Sequence, residues 1–542
     1  MAEIPWKTIH GGTAAYCYFR STFTAFLAGT AITFLLRFLY GAILYPAYIS
    51  PLKQVPTPAV RSWIKGNRKA FALEENFEEM RQWNEEAPNH GLLRYYMTAN
   101  LERLVVTSPK ALSEILVQKV YEFEKPLLIR RSLGRITGEH GVLLVEGPEH
   151  KRQRKNLMPA FQYRHIKNLY SVFWSKSIEM VNMIEKELQQ RSDPADNVIS
   201  IETWSSRATL DIIGVAGMNR DFNSLRDPSN DLAHHYHRIM HTPPTALEKF
   251  LFVIGLITGT AGWVMDLPLE RNRILDESSA FIRNVARQMI REAREASSKD
   301  EKSHKTTDAI DIISVAVESA AFTEEELVDQ MMTFLAAGHE TTSSAFQWCI
   351  YALSKNPDVQ TRLRDEIRAH LPPISVVDNP PEPLSAATID SLPYLNAVCN
   401  EVFRFHPSAP STIRVANRDT TLVGQPIAKG TVINIIPAIT NHDKSLWGPD
   451  ADTFNPDRWL APGQANTGGA SSNYAFLTFI HGPRSCIGQG FAKSELACLL
   501  AAFVGRFRFE LEDPDKELLL RQGATVSPRD GVLAKLTRVE GW

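Results

Sequence analysis

Cysteine is scarce in this 542-residue chain: the five present, Cys17, Cys349, Cys399, Cys486 and Cys498, are odd in number, scattered, and form no C-x-x-C pair. That excludes a disulfide framework and a four-thiolate zinc site, and it suits a reducing compartment. An excess of either charge is missing as well. The 59 Lys plus Arg face 61 Asp plus Glu, a formal net charge of −2, so a strongly basic nucleic-acid binder is excluded and nucleic acid is not an expected partner. No internal repeat is visible, and polar low-complexity sequence is confined to residues 296–307 and 461–473, which read as solvated loops. With 44% hydrophobic and 22% charged residues, the composition is that of a globular chain with length for two or three domains or one large core.

The N-terminus departs from that average. Residues 23–44 read FTAFLAGTAITFLLRFLYGAIL, 22 residues interrupted only by Arg37. As a helix this run is about 33 Å long, enough to cross a bilayer core. Arg37 lies in its last third, where a long stem carries the charge to the interface. Lys53, Arg61, Lys65, Arg68 and Lys69 follow the run, whereas only Lys7 and Arg20 precede it. Positive-inside logic then gives a short lumenal segment at 1–22, a membrane anchor at 23–49 and a cytosolic body at 50–542. The rival, a cleaved signal peptide, lacks a small-x-small site and an early start. Pro46, Pro51, Pro56 and Pro58 are expected to stop the helix and hold the chain extended as a stiff hinge.

Beyond the hinge, helical periodicity dominates, with β-rich pieces at 101–107, 431–436 and 507–512, so the class is mainly α with a small β-sheet subdomain. Thr323 followed by Glu324, Glu325 and Glu326 is a capping box, and no proline occurs before Pro357, which predicts a helix of about 32 residues. Its middle carries Ala336, Ala337, Gly338, His339, Glu340, Thr341 and Thr342. Two readings stand for this polar interruption. Gly338 lets something bulky approach while Glu340 and Thr341 handle protons, or the helix is locally kinked with a solvated face. His339-Glu340 begins a metalloprotease pattern, but its second histidine would fall at Ser343, so zinc hydrolysis is set aside.

A second segment, Phe479, Ile480, His481, Gly482, Pro483, Arg484, Ser485, Cys486, Ile487 and Gly488, places one cysteine between glycines just ahead of a helical run. The helix start and Arg484 would lower the thiol pKa, and the glycines would let a large flat group lie against the backbone, so a metal could take the thiolate. An inert buried cysteine is the other reading.

Phe479-x-x-Gly482-x-Arg484-x-Cys486-x-Gly488 resembles the haem-binding loop of the cytochrome P450 family in every defining position. Ala337-Gly338-His339-Glu340-Thr341 resembles that family's oxygen-activation stretch, Glu401-Val402-Phe403-Arg404 its Glu-x-x-Arg helix, and Phe454-Asn455-Pro456-Asp457-Arg458 its Phe-x-Pro-x-Arg segment. The resemblance runs from about residue 50 to the C-terminus, and the anchor is similar to the microsomal eukaryotic type. Accessory metabolite-tailoring enzymes of fungi share this layout.

The resemblance implies the cytochrome P450 fold and haem b, with Cys486 as axial thiolate of the iron. Arg484, His150, Arg154 and Arg414 are the implied partners of the haem propionates, although His150 stands where the family commonly has tryptophan. Glu340 and Thr341 correspond to the acid and alcohol that deliver protons to the reacting oxygen, with Gly338 opening the helix for dioxygen. Family members that only rearrange or dehydrate often lack such a threonine, so a monooxygenase is expected ahead of an isomerase or dehydratase. Glu401, Arg404 and Arg458 resemble the structural triad. Lys151, Arg152 and Lys155 are expected to stay solvated or to face a reductase.

Only 56 residues follow Cys486, too few for a flavin domain. The implied electron source is therefore a separate NADPH-dependent flavoprotein reductase, with a small haem electron carrier as a possible helper. The expected setting is a single-pass enzyme of the endoplasmic reticulum membrane with its catalytic domain in the cytosol. Residues 250–264 carry no charge and are too short to span; they read as a second contact with the bilayer or as a buried helix. The implied substrate is a lipophilic small molecule, a fatty acyl chain included. Its pocket would be lined by residues 134–145 and 250–264, Phe334, Ala337, Ser411, Thr412, Ile413 and Val526.

Overall fold

Apolar residues at three- and four-residue spacing bury one stripe of a helix against its neighbours, and this pattern organises most of the chain. The computed structural model describes residues 23–58, 66–67, 77–87, 90–191, 193, 197–258, 261–300, 311–374, 384–523 and 525–542. The expected lumenal segment, Cys17, the basic residues Arg61, Lys65, Arg68 and Lys69, and the side chain of Arg37 lie outside the described residues. The chain divides into two units.

One unit comprises Met1–Ile129, Pro243–Asn272 and Thr412–Ile436. Its sheet has the order Leu92–Tyr96, Glu102–Val106, Val432–Ile435, Thr412–Ala416, Phe123–Glu124. Only the pairing of Glu102–Val106 with Val432–Ile435 is parallel, setting Leu104 opposite Ile433. Leu104, Val105, Val106, Ile433 and Ile435 are all buried, so the centre of the sheet is covered on both faces.

The N-terminal apolar run forms the helix Phe23–Leu39. It does not stop at Pro46. The chain winds on as a wider π-helix, Tyr40–Ile49, and the extended hinge expected there is replaced by ordered structure. A proline removes one N–H and crowds the preceding turn, which the wider winding accommodates. The freed end is fastened to the Leu92–Val106 hairpin. Arg94 Nη2 donates to the Pro46 carbonyl at 2.5 Å, Asn100 Nδ2 to that of Ala42, and Ser50 Oγ to Glu102 Oε2 at 2.7 Å. The Ala28–Ile49 stretch has a mean hydropathy of 1.5 and is long enough to cross a membrane. In the same unit, the helix Ala246–Thr258 packs against Phe23–Leu39 and leaves Leu247 57% and Phe250 62% exposed.

The other unit holds Arg130–Thr242, Arg273–Ser411 and Pro437–Trp542. Its central helix, Glu324–Lys355, has 32 residues and begins at the expected capping box on Thr323 and Glu326. Ile201–Met218 packs along this helix, while Tyr163–Gln190 packs along Gln489–Arg506. A small antiparallel sheet joins Val198–Ser200, Leu533–Arg538 and Phe507–Leu511. The three β-rich pieces read from sequence are thus strands, each trimmed by one or two residues at its ends.

Candidate active site

The central helix is buried on all sides from Leu327 to Ala336 and then opens, for Ala337 is exposed although it lies at mid-helix. Gly338 is the neighbouring contact. A Cβ there would meet Ile213 Cγ1 at 2.8 Å, so the missing side chain lets the helix Ile201–Met218 pack close. His339 is buried, its Nδ1 2.7 Å from the Leu335 carbonyl. Burial holds its imidazole below the usual range, with the Glu340 charge and the Leu335 bond only partly opposing.

Glu340 and Thr341 stand on the open stretch. Thr525 Oγ1 donates to Glu340 Oε1 at 3.0 Å, and Thr341 Oγ1 donates to the Ala337 carbonyl at 2.8 Å. Above the first half of the helix lies the 138–145 loop. Asp329 accepts from the His140 backbone N–H at 2.8 Å and from Arg283 Nη2 at 2.7 Å, while Gln330 Oε1 accepts from Val142 N–H at 3.0 Å.

Cys486 belongs to the same unit. Its backbone N–H donates to the Phe479 carbonyl at 2.8 Å, closing the turn that Gly482 enters with φ of 78°. The cysteine is free and exposed. Burial pushes its pKa up, against the Gly488 N–H and the Arg154 charge that pull it down, so the expected net lowering does not occur and Arg154, not Arg484, is the acting cation. Arg154 Nη1 donates to the Ser485 carbonyl at 2.6 Å, and Nη2 to Ser485 Oγ at 3.1 Å. Arg484 pairs with Glu146 and donates to the Val145 carbonyl at 3.3 Å. His150 is buried one turn before Arg154 on the helix Gly147–Leu157.

Arg152 departs from the expectation of a solvated cation. It pairs with Glu149 and Glu326 and lies over the Phe322 ring at 5.5 Å, whereas Lys151 and Lys155 are exposed. Among the pocket candidates, Ser411 is exposed and Phe334 is buried against Phe161 at 5.5 Å. Val526 is fastened, its carbonyl accepting from Ser344 Oγ at 2.8 Å and Trp348 Nε1 at 3.0 Å. Arg414, Thr412 and Ile413 are on a strand of the first unit, where Arg414 Nη1 donates to Thr412 Oγ1 at 2.8 Å.

Glu401, Arg404 and Arg458 come together in the interior. Arg404 Nε and Nη2 meet the two Glu401 oxygens at 2.9 and 2.8 Å, and Arg458 Nε meets Glu401 Oε1 at 3.2 Å. Arg404 also donates to the carbonyls of Asn441, Ala451 and Thr453. Burial alone would raise the Glu401 carboxyl, but Arg404 and Arg458 together hold it below the usual range. Asn441, Trp459 and Thr478 complete the knot and were not foreseen; single side chains that bond to backbone at long range leave no local pattern.

The family model for cytochrome P450 matches residues 56–535. The chain belongs to the cytochrome P450 family. Its relatives include cytochrome P450 monooxygenase sphH of Aspergillus fumigatus, 55% identical with 98% of each chain covered. Cytochrome P450 monooxygenase FSL4 of Gibberella zeae is 40% identical, over 95% of this chain and 94% of that one. Cytochrome P450 monooxygenase FUM15 of Gibberella moniliformis is 41% identical, over 90% and 89%. This P450 is accordingly a monooxygenase, and its cofactor is haem held through a cysteine thiolate.

The residues present fit that group. Cys486 is free and exposed, and at Gly488 an added Cβ would meet nothing nearer than the Phe161 ring at 3.9 Å. Ala337 is open at the middle of an otherwise buried helix, and two arginines, Arg154 and Arg484, stand beside the cysteine turn.

Proposed function

We propose that this P450 is a membrane-anchored monooxygenase that takes electrons from an NADPH-dependent flavoprotein reductase, helped in some settings by a small haem carrier, and oxidises a lipophilic small molecule in secondary metabolism. Residues 1–22 are lumenal, 23–49 anchor the chain in the endoplasmic reticulum membrane, and 50–542 form the cytosolic haem domain. The accessible Cys486 thiol carries the reading.

Bound haem would supply the iron at which dioxygen is activated, and Cys486 would hold it through its thiolate. Arg154 and Arg484 offer positive charge to the propionates, and Arg414 and His150 are the further candidates. Phe479, Gly482 and Gly488 shape the turn that presents the thiolate. Glu340 and Thr341 would hold and move protons: the Thr341 hydroxyl, which donates to the Ala337 carbonyl at 2.8 Å, is the proton donor nearest the open stretch, and Glu340 beside it would return the proton. The exposed Ala337 offers the substrate an apolar contact and no charge, which supports a lipophilic class.

The ferrous carbon-monoxide difference spectrum tests this. A strongly red-shifted Soret band that Cys486→Ser abolishes is the expected result; a folded protein that takes up no haem overturns the proposal. With reductase and NADPH, Thr341→Ala should form at least about tenfold less product per NADPH consumed. Turnover independent of NADPH would instead establish the isomerase or dehydratase reading.

A further inference from the structure

Lys493 stands seven residues after Cys486 on the helix Gln489–Arg506, where a lysine would ordinarily reach for water. Here it is only half-exposed, and its Nζ lies over two aromatic rings, 5.4 Å from the centroid of Phe476 and 5.9 Å from that of Phe479. Phe479 is the residue whose carbonyl receives the Cys486 N–H at 2.8 Å, and its ring is held edge-on by Phe403 at 5.0 Å. Among the described residues no carboxylate is within ion-pair reach of Lys493. Burial brings its ammonium down to about 8, opposed by the neighbouring Cys399, so the group remains charged at pH 7. Cys399 is no counter-ion, since burial pushes its thiol up to about 12 and keeps it neutral.

A half-buried cation without a carboxylate partner loses part of its hydration, which ring faces or another charge can offset. Phe476 supplies one ring and Phe479 the other, so the charge is held against the turn that presents the cysteine. We infer that Lys493 is a positioning residue of the redox centre: its fixed charge behind Phe479 stabilises the reduced haem and so favours the first electron transfer. The inference rests on the reading that Cys486 holds the haem. Reduction adds one electron, taken from the flavoprotein reductase or from dithionite in the test, and makes the site one unit more negative with no bond made or broken. A nearby positive charge in a poorly screened interior favours that state.

Potentiometric titration of the full-length, haem-loaded protein in detergent decides the matter. Lys493→Met keeps the stem and removes the charge, and should make reduction about tenfold less favourable, about 59 mV for one electron. Lys493→Arg retains the charge and should stay within about twofold of the parent. A Met variant with the parent potential and an unchanged carbon-monoxide band overturns the inference and leaves Lys493 as packing. Should the Met variant fail to load haem, Lys493→Gln is titrated against Lys493→Arg, and equal potentials have the same meaning. A parent protein without the red-shifted band would mean that the Cys486 reading itself has failed.

Discussion

Glu495 is fully buried on the helix that follows Cys486, and burial drives its carboxyl well above the usual range, with the Thr342 hydroxyl only partly offsetting this. The folded protein therefore keeps a proton that the unfolded carboxylate loses above about pH 4.3. Stability from this residue falls as the pH rises from there. Glu495→Gln should raise the unfolding temperature at pH 8, by an amount equivalent to about 1–3 kcal/mol, and the gain should shrink toward pH 5. A difference that does not change with pH would remove the argument. Gly338 makes a steric prediction of the opposite sign. Gly338→Ala forces a Cβ against Ile213 and should cost about 1–3 kcal/mol in thermal unfolding, part of which Ile213→Val restores. Residues of this kind were the least legible. Cys486, Arg484 and Gly482 sit within one short run and are readable together, whereas Lys493 and Glu495 look like any surface lysine and glutamate until the rings beside the one and the burial of the other are known. Arg152 departs in the same direction, because its partner Glu326 lies far along the chain.

At the scale of elements, the central helix was legible from end to end, because capping at Thr323 and the proline after Asn356 are local signals. The helix Pro393–Phe405 owes its place to a buried charge cluster instead. Arg404 spends its guanidinium on Glu401 and three backbone carbonyls, a fork that an ammonium cannot reproduce. Arg404→Lys should abolish the folded, haem-loaded form, and Glu401→Gln should cost about 3–5 kcal/mol by leaving two buried guanidinium groups without their anion. Circular dichroism beside the carbon-monoxide spectrum separates misfolding from simple haem loss. The Glu-x-x-Arg spacing was readable in the sequence, but the depth of burial that turns an ordinary salt bridge into a knot was not.

For the whole molecule, the proposed anchor draws attention to a second apolar segment. Leu247 and Phe250 expose apolar surface on the helix that packs against the N-terminal one, which favours the second bilayer contact over the buried-helix alternative. A chain lacking residues 1–48 should remain partly membrane-bound in flotation assays, and Leu247→Ser with Phe250→Ser should release it; clean release of the truncated chain alone would sink the second contact. Composition and periodicity had predicted both apolar segments. The docking of Tyr40–Ile49 was hidden, because it depends on Arg94, Asn100 and Glu102 arriving from a hairpin some fifty residues later.

That docking bears on where the chain can be cut. A soluble version begun after residue 49 would strip the Pro46 and Ala42 carbonyls from Arg94 and Asn100 and leave Glu102 short of Ser50's company if the cut ran one residue further. Trimming at Leu39 keeps the latch and discards only the greasy shaft. Ala42 and Pro46 thus serve the folded hairpin even though they lie within the segment proposed as anchor.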